Sequence, residues 1–391
     1  MKVTKVEIFD LKIPDVPDWH PVVIRVHTDK GISGVGEVGL AFGIGHSAGA
    51  GMVKNLAEAY LIGSNPFRIE KMWDTMFRSS FWAYGGGPAV FGGMSAIDIA
   101  MWDIKGKALG LPVYELLGGK TNESLRCYAS QIQLGWPAGP RGLGSEKEYA
   151  DAARKAVADG YDCVKIDPII LDEEGRPAGN LRKVLTKAQQ RLFYDRVKAV
   201  RDAVGPDVDI ILDLHSLPSV TTGIQLGRLW EDLNCMYYEE LVNCMHPGLQ
   251  EKVSKGVRIP MAAGERLYTR WGYRQYFEDQ SLDVIQPDLC LCGGITEGKK
   301  ICDYANLYDI SVQIHVCGSP VSTAAALQLE AVIPNFLIHE HFTRGLNAYN
   351  REICVQDYQP ENGRFVPPDL PGLGIELNDE VVMKSPRTVV K

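Results

Sequence analysis

The stretch IILDLHSL, residues 210–217, begins as an apolar strand and places two polar side chains, Asp213 and His215, at its end. Because side chains alternate between the two faces of a strand, positions 213 and 215 point to the same side. Taken alone, a capped strand end whose polar groups are satisfied by backbone or water explains such a pair. The pattern of the remaining chain decides between that structural explanation and a functional site.

Short apolar strands alternate with amphipathic helices from Leu125 onward, a pattern typical of βαβ units and a parallel sheet. Eight segments fit such strands: RCYAS, DCVKID, VDIILDL, CMYYEE, IPMAAGE, LDVIQPD, SVQIH and NFLIHE. Two of the helices between them begin with capping boxes, Ser145 with Glu148 and Thr186 with Gln189. Eight units in roughly 240 residues predict a (β/α)8-type barrel, with a doubly wound open sheet as the alternative.

The chain before Leu125 has a different pattern. Residues 1–38 predict a meander of strands with a turn at 29–31. The run FGGMSAIDIAMWDIKGKALG, residues 91–110, has the apolar spacing of a helix that ends at Gly110. The first hundred or so residues therefore predict an α+β unit in front of the barrel, and the fold class is α/β.

Composition narrows the class of protein. The 391 residues are 45% hydrophobic and 23% charged, close to the averages for globular proteins. The formal net charge is −8 and Lys and Arg are scattered, which argues against nucleic acid or an anionic membrane as partner. The N-terminus lacks an apolar signal region, and the nine cysteines lack paired CxxC spacing. We therefore expect a cytoplasmic protein with reduced thiols and no membrane span.

Polar side chains end most of the predicted barrel strands, where the catalytic groups of barrel enzymes lie. They are Lys165, Asp167, Asp213, His215, Glu239, Glu265, Asp288, His315 and Glu340. From Asp213 onward they recur about once per strand–helix unit. Scattered surface polar residues would not recur at that period, so we predict a single functional site at the barrel mouth.

Three successive strands offer the carboxylates of Asp213, Glu239 and Glu265. Oxygen ligands without a thiol suit a hard divalent cation, Mg²⁺ best and Mn²⁺ also. Left unpaired, three carboxylates at one barrel mouth would repel one another, and a metal removes that cost. The triad therefore predicts a Mg²⁺ site.

Two histidines flank the predicted metal. Asp288 ends the strand before His315, so its carboxylate can orient the His315 imidazole as a base. His215 would face the metal from another side, which suits an acid. Opposed proton acceptor and donor groups around a metal-bound carboxylate predict β-elimination of water from a hydroxy acid, with the metal stabilising the enediolate.

Three runs carry a resemblance to the enolase superfamily, in its mandelate racemase branch, and above all to its sugar-acid dehydratases. They are MSAIDIAMWDIKGKALGLPVYELLGG (94–119), GERLYTRWGYRQYFEDQSLDVIQPDLCLCGGITEGKKI (264–301) and LPGLGIELND (370–379). The resemblance implies an N-terminal capping domain at 1–124, a TIM-type barrel domain at 125–365, and a C-terminal segment at 366–391 that returns to the capping domain.

The resemblance also implies roles for the strand-end residues. It makes Asp213, Glu239 and Glu265 the metal ligands, His315 with Asp288 the base dyad, His215 the acid that protonates the leaving hydroxyl, and Glu340 the acid that contacts the substrate carboxylate. The implied reaction converts an aldonate or aldarate to its 2-keto-3-deoxy product. The implied assembly is a homo-oligomer, dimeric or octameric.

Two positions depart from the branch. Its racemases carry Lys-x-Lys at the second barrel strand, whereas here Lys165 is followed by Asp167, a candidate substrate-binding residue. Two-base racemisation thus lacks its usual partner, although Lys165 still supplies positive charge. Leu241 stands where the family has a proline. The alternatives are an epimerase or racemase acting by 1,1-proton transfer, with Lys165 or His215 as second acid, and a non-catalytic, metal-dependent sugar-acid binder.

Specificity is expected from loops over the barrel mouth, at 14–21, 39–49 and 135–144. Trp19 and His20 are candidate substrate contacts, and a packed loop with an exposed histidine is the alternative. The insertion at 168–185 lengthens the unit after the second strand, and the sequence leaves open whether it lies near the site or at a subunit contact.

Overall fold

The computed structural model describes residues 1–13, 16, 18–137, 142–172, 175–177, 181 and 183–391. Within them the strands are β1 (Val3–Asp10), β2 (Val22–Thr28), β3 (Ser33–Val38), β4 (Leu125–Ser130), β5 (Cys163–Ile166), β6 (Asp209–Asp213), β7 (Tyr237–Glu239), β8 (Met261–Ala263), β9 (Val284–Ile285), β10 (Ser311–Val312), β11 (His339–Phe342), β12 (Arg364–Phe365) and β13 (Arg387–Val390). The helices are α1 (His46–Leu56), α2 (Ile69–Ser79), α3 (Pro88–Leu109), α4 (Val113–Leu116), α5 (Glu146–Ala158), α6 (Lys187–Val204), α7 (Val220–Leu229), α8 (Pro247–Ser254), α9 (Thr269–Glu278), α10 (Gly294–Asn306), α11 (Pro320–Glu330), α12 (Ala348–Arg351) and α13 (Asp379–Val382).

The barrel is built on an eight-stranded parallel sheet in the order β10–β9–β8–β7–β6–β5–β4–β11. A parallel bridge between Val312 and Phe336 brings β10 beside the segment that leads into β11, so the sheet curls round on itself. One helix, from α5 to α11 in turn, follows each strand from β4 to β10. The predicted (β/α)8-type barrel is confirmed.

The capping domain contains an antiparallel sheet in the order β13–β1–β2–β3. Its outer strand β13 comes from the C-terminus and pairs with β1, for example Val390 with Val6. The predicted completion of this domain by the C-terminal segment is thus confirmed. Helix α3 lies directly on β3. The two approach so closely that a Cβ at Gly34 or Gly36 would collide with backbone carbonyls of the helix, so glycine is required at both positions.

Local sequence signals set the helix ends. The capping boxes of Ser145 with Glu148 and of Thr186 with Gln189 are both formed. Gly110 ends α3 in the left-handed region, with φ of 70°. These three predictions are confirmed.

Two buried carboxylates of the capping domain bind helix N-termini of the barrel. Glu37 accepts hydrogen bonds from the Ser319 N–H (2.8 Å), the Ser319 hydroxyl (2.6 Å) and the Ser322 N–H (3.1 Å) at the start of α11. Asp98 accepts one from the Thr296 N–H (2.9 Å) at the start of α10. Burial raises the pKa of Glu37 to about 7, whereas the helix N-terminus and its donors favour the carboxylate. These contacts seat the capping domain on the barrel.

Among the described residues, no helix combines the length and the apolarity that a membrane crossing requires. All nine cysteines of the chain are described, and each is a free thiol.

Candidate active site

Three carboxylates converge at the C-terminal edge of the barrel sheet. Asp213 and Glu239 are the last residues of β6 and β7, and Glu265 lies two residues past β8. One oxygen from each lies within 4.8 Å of the other two. Burial, together with the neighbouring Asp213 carboxylate, raises the pKa of Glu239 to about 8. A hard divalent cation fits this donor set, because it accepts carboxylate oxygens and supplies the missing positive charge.

Lys165 lies within the same cluster as a buried counter-charge. Its Nζ is 2.9 Å from Glu340 Oε1, 3.0 Å from Glu239 Oε2 and 3.5 Å from Asp213 Oδ2. Burial opposes the charged form, but these carboxylates outweigh it and hold the pKa of Lys165 well above its ordinary value. The contacts suit a fixed positive charge at the barrel mouth.

His315 and Asp288 form a hydrogen-bonded pair beside the triad. His315 Nδ1 is 2.8 Å from Asp288 Oδ2, and His315 Nε2 is 3.4 Å from Glu265 Oε2. The Cys290 N–H fixes the other Asp288 oxygen at 2.7 Å. Although burial opposes it, the charges of Glu265 and Asp288 raise the pKa of His315 to about 10. A cation on the triad would add positive charge beside the imidazole and favour its neutral form.

His215 and Asp167 form a second pair of the same kind. His215 Nδ1 is 2.7 Å from Asp167 Oδ2, and its Nε2 is 3.3 Å from Asp213 Oδ2. Asp167 is fully buried and accepts a further hydrogen bond from the Ile169 N–H at 2.9 Å. This pairing is not among the sequence predictions, although Asp167 and His215 follow neighbouring strands just as Asp288 and His315 do. The site therefore places one imidazole–carboxylate dyad on each side of the triad.

Glu340 in β11 is held as a carboxylate. It accepts hydrogen bonds from the Ser130 hydroxyl at 2.6 Å and the Val316 N–H at 3.0 Å, besides contacting Lys165. Burial opposes ionisation, but the charges of Lys165 and His315 lower the pKa of Glu340 to about 2. Contact of Glu340 with a substrate carboxylate stays a prediction.

Four further polar residues surround the triad, and none of them is among the site residues predicted from the sequence. Gln131 donates to Asp213 Oδ2 at 2.6 Å. The Arg266 guanidinium contacts the carboxylates of both Glu265 and the fully buried Glu240. The Ser216 hydroxyl donates to Glu240 at 3.0 Å. Arg266 directly follows Glu265 and Glu240 directly follows Glu239 in the sequence, so adjacency to predicted ligands was the available signal.

We expect Arg266→Met to weaken Mg²⁺ binding by about tenfold, because groups that orient a metal ligand typically contribute 10- to 100-fold to affinity. We also expect it to lower the free energy of unfolding by about 2–4 kcal/mol, since Glu240 loses its counter-charge. Arg266→Lys should give a Mg²⁺ affinity and a free energy of unfolding between those of wild type and Arg266→Met. A lysine ammonium keeps the positive charge but lacks the planar fork that contacts two carboxylates. Isothermal titration with Mg²⁺ and urea denaturation in EDTA measure the two effects.

The matched control is Arg274→Met, because the exposed Arg274 pairs with the partly exposed Glu278 one helical turn on in α9, at 2.7 Å. It should change neither quantity measurably. Wild-type Mg²⁺ affinity in Arg266→Met would show that Arg266 does not orient Glu265.

The two loop residues predicted to contact substrate lie among packed groups. Trp19 is fully buried, donates from Nε1 to Asn350 at 3.2 Å and has its ring 5.8 Å from that of Phe342. The His20 ring stacks on the His46 ring at 4.4 Å. Because Phe342 ends β11, Trp19 lies near the barrel mouth, and substrate contact by Trp19 or His20 stays a prediction.

Parts of the predicted specificity loops and of the insertion lie outside the described residues, namely 14–15, 17, 138–141, 173–174, 178–180 and 182. The described start of the insertion is bound by the buried Arg196 guanidinium of α6. It donates to the Pro168 carbonyl at 3.0 Å, the Asp172 carbonyl at 3.0 Å and the Gly144 carbonyl at 2.6 Å. The start of the insertion, at Pro168 and Asp172, and Gly144 at the end of the 135–144 loop are thereby held side by side.

Two family models match the chain. Residues 9–118 match the mandelate racemase / muconate lactonizing enzyme N-terminal domain, and residues 148–381 match the enolase C-terminal domain-like family. Among curated proteins, the D-galactonate dehydratase of Pectobacterium atrosepticum is 32% identical over 98% of this chain and 94% of its own length. The D-galactonate dehydratase of Variovorax paradoxus is 33% identical over 99% of this chain and 95% of its own length.

Solved structures agree with this likeness. A member of the enolase superfamily from Salmonella Typhimurium is 51% identical, with a TM-score of 0.97 and coverage of 100% of both chains. A mandelate racemase/muconate lactonizing enzyme from Jannaschia sp. CCS1 is 30% identical, with a TM-score of 0.87 over 98% of this chain and 97% of the other. Both likenesses extend over the capping domain and the barrel.

Proposed function

Because the chain belongs to the mandelate racemase/muconate lactonizing enzyme family of the enolase superfamily, we propose that it is a hydro-lyase that dehydrates a sugar acid. The substrate is an aldonate or aldarate, and the product is the 2-keto-3-deoxy acid. The observation that carries the proposal is the carboxylate triad with a His–Asp dyad on each side. Relatives that are named D-galactonate dehydratases support the substrate class.

The triad of Asp213, Glu239 and Glu265 would hold Mg²⁺, or Mn²⁺ in its place. When bound, the cation supplies positive charge that stabilises the negative charge developing on the substrate carboxylate. Lys165 and Glu340, whose charges are fixed by their mutual contact, complete the polar floor beside it. In this proposal Glu340 and Asp167 also border the bound substrate, together with Trp19 and His20 from the capping loops.

The two dyads divide the proton transfers between them. His315 Nε2 accepts the α-proton from C2, while Asp288 on Nδ1 orients the ring and stabilises the imidazolium. His215 Nε2 donates a proton to the C3 hydroxyl, which leaves as water, while Asp167 orients that ring from Nδ1. The resulting enol tautomerises to the ketone. One proton is taken up and one is released, so the net change is loss of water.

The test is proton NMR in D₂O of the protein with Mg²⁺ and a stereochemically complete panel of aldonates and aldarates. A new methylene signal at C3 that is absent with His315→Asn would establish dehydration and identify the substrate. Silence across the panel, with Mg²⁺ shown to bind and the ligands raising the melting temperature, would replace the proposal with a non-catalytic binder.

A second candidate is epimerisation by 1,1-proton transfer, and the paired dyads favour it specifically, because His215 could return a proton to the opposite face of C2. Product analysis separates the two reactions. Exchange of the C2 proton with every hydroxyl retained would indicate the epimerase, whereas elimination removes the C3 hydroxyl.

We further propose that the protein works in the cytoplasm as a homo-oligomer. The free state of all nine cysteines supports a reducing compartment.

A further inference from the structure

Five large apolar side chains form an exposed group at the edge of the capping domain and barrel, which we call the aromatic patch. They are Phe81 (76% exposed), Trp82 (76%), Tyr84 (65%), Met245 (71%) and Trp271 (50%). Monomeric proteins seldom expose a contiguous apolar surface of this kind unless it binds something.

Three residues of the patch, Tyr84, Met245 and Trp271, line a cavity of about 630 Å³ between α2 and α9. Its walls are aromatic: the Phe77 ring stacks on Trp271 with centroids 5.0 Å apart, and Phe91 stacks near Tyr268 at 5.7 Å. Apolar walls of this size suit the side chains of another protein surface.

The two guanidiniums in the cavity wall are already paired. Arg78 bonds Asp74 at 2.7 Å and the Tyr84 hydroxyl at 3.1 Å, and Arg266 contacts Glu240 and Glu265. A site for a small anion would need a cation aimed at it, so the cavity favours an apolar occupant.

Close in sequence to the cavity residues Arg78 and Tyr84, Phe81 and Trp82 form an exposed pair. Their rings meet edge to face at 4.8 Å, and Phe81 is left-handed, with φ of 64°. The turn is held by the buried Ala83 and by hydrogen bonds from the Gly85 and Gly86 N–H groups to the Trp82 carbonyl, both at 3.1 Å. A left-handed backbone is unfavourable for phenylalanine, and here it presents an aromatic ring to solvent.

We propose that the aromatic patch is the contact surface between two copies of this chain, with Phe81 and Trp82 of each copy seated in the cavity of the other. Phe81 and Trp82 lie in the chain between Arg78 and Tyr84, which both line the cavity, so a twofold axis beside them can bring the pair of one copy to the cavity of the other. The five side chains expose roughly 700 Å² per copy, close to the ~800 Å² per partner of a stable interface. The inference goes beyond the proposed reaction and does not depend on it.

This contact has a consequence for the carboxylate triad. Arg266 lines the cavity and contacts the triad residue Glu265. A partner seated in the cavity would shield that ion pair from water and strengthen it. Assembly would therefore fix the position of Glu265, one ligand of the metal site, more firmly.

The test is sedimentation velocity of the full chain as wild type, Trp82→Asp and Leu307→Asp. Leu307 is the matched control, because it is 78% exposed at the end of α10, far along the chain from the patch. We expect the wild type to assemble, Trp82→Asp to raise the dissociation constant of one interface at least about 100-fold, and Leu307→Asp to behave as wild type. Far-UV circular dichroism verifies that each variant folds.

Hydrogen–deuterium exchange of the unmutated protein gives a second readout. Protection of 77–87 that rises with protein concentration would support the interface. A monomeric wild type at micromolar concentration, or Trp82→Asp that assembles like wild type without concentration-dependent protection of that segment, would overturn it.

Discussion

Replacing His315 by asparagine is expected to lower kcat for dehydration by about 1,000-fold or more, because the amide keeps the size of the side chain but cannot accept the α-proton. The same variant should stop exchange of the C2 proton with D₂O. His215→Asn should also block water loss, yet it should leave C2 exchange in place, because His315 and Asp288 remain paired. Rates of exchange and of product formation, followed by NMR on one substrate, separate the two roles.

The same exchange measurements can contradict the assignment of His315 as the base and His215 as the acid. Loss of C2 exchange in His215→Asn, with exchange retained in His315→Asn, would reverse the two roles. Asp288→Asn is the matched positioning variant. It should lower kcat by about 100-fold and shift the pH profile of kcat, because the imidazole loses the carboxylate that stabilises its charged form.

Replacing Glu239 by glutamine is expected to weaken Mg²⁺ binding by at least about 100-fold, because one anionic ligand of three is lost and the buried site loses charge complementarity. Titration calorimetry with Mg²⁺ measures this directly. Gln131→Ala is the milder comparison, since Gln131 only donates to the ligand Asp213. Gln131→Ala should weaken Mg²⁺ binding by about tenfold.

The affinity of the wild type for Mg²⁺ should rise with pH. Burial and the Asp213 carboxylate raise the pKa of Glu239 to about 8 in the metal-free protein. Below that pH, binding must release the Glu239 proton, so the Glu239 contribution should raise the affinity by up to about tenfold per pH unit and should level off above it. In Glu239→Gln this dependence should become weaker, and the rise that remains should come from His315, whose charged form a bound cation disfavours. An affinity that is constant between pH 6 and 8 would mean that Glu239 is already ionised before the metal binds.

The strand-end pattern shows how much could be predicted from the chain itself. Asp213, Glu239 and Glu265 were found because each follows a short apolar run and because parallel strands end at one edge of a sheet. The capping boxes and Gly110 were found because helix ends are set by residues three or four positions apart. His315 with Asp288 followed from the same reasoning, since neighbouring strands place their ends side by side.

The pairing of His215 with Asp167 and the bridge from Arg266 to Glu240 depended on the directions of side chains where strands give way to loops. His215, Ser216 and Glu240 all have positive φ, at 47°, 58° and 46°. Left-handed backbone at such residues breaks the alternation of faces on which strand reasoning rests. The strand order brings Asp167 near His215, but which atoms meet beyond the strand ends could not be predicted from spacing alone.

The sequence by itself determined the strand–helix alternation, the helix caps and the positions of the strand-end groups, because these depend on local periodicity and on neighbours a few residues apart. Only the tertiary structure decided that Trp19 is buried against Phe342 and that Tyr84, Met245 and Trp271 line one cavity. Those arrangements join segments that are distant along the chain, and their energies come from packing and desolvation across domains.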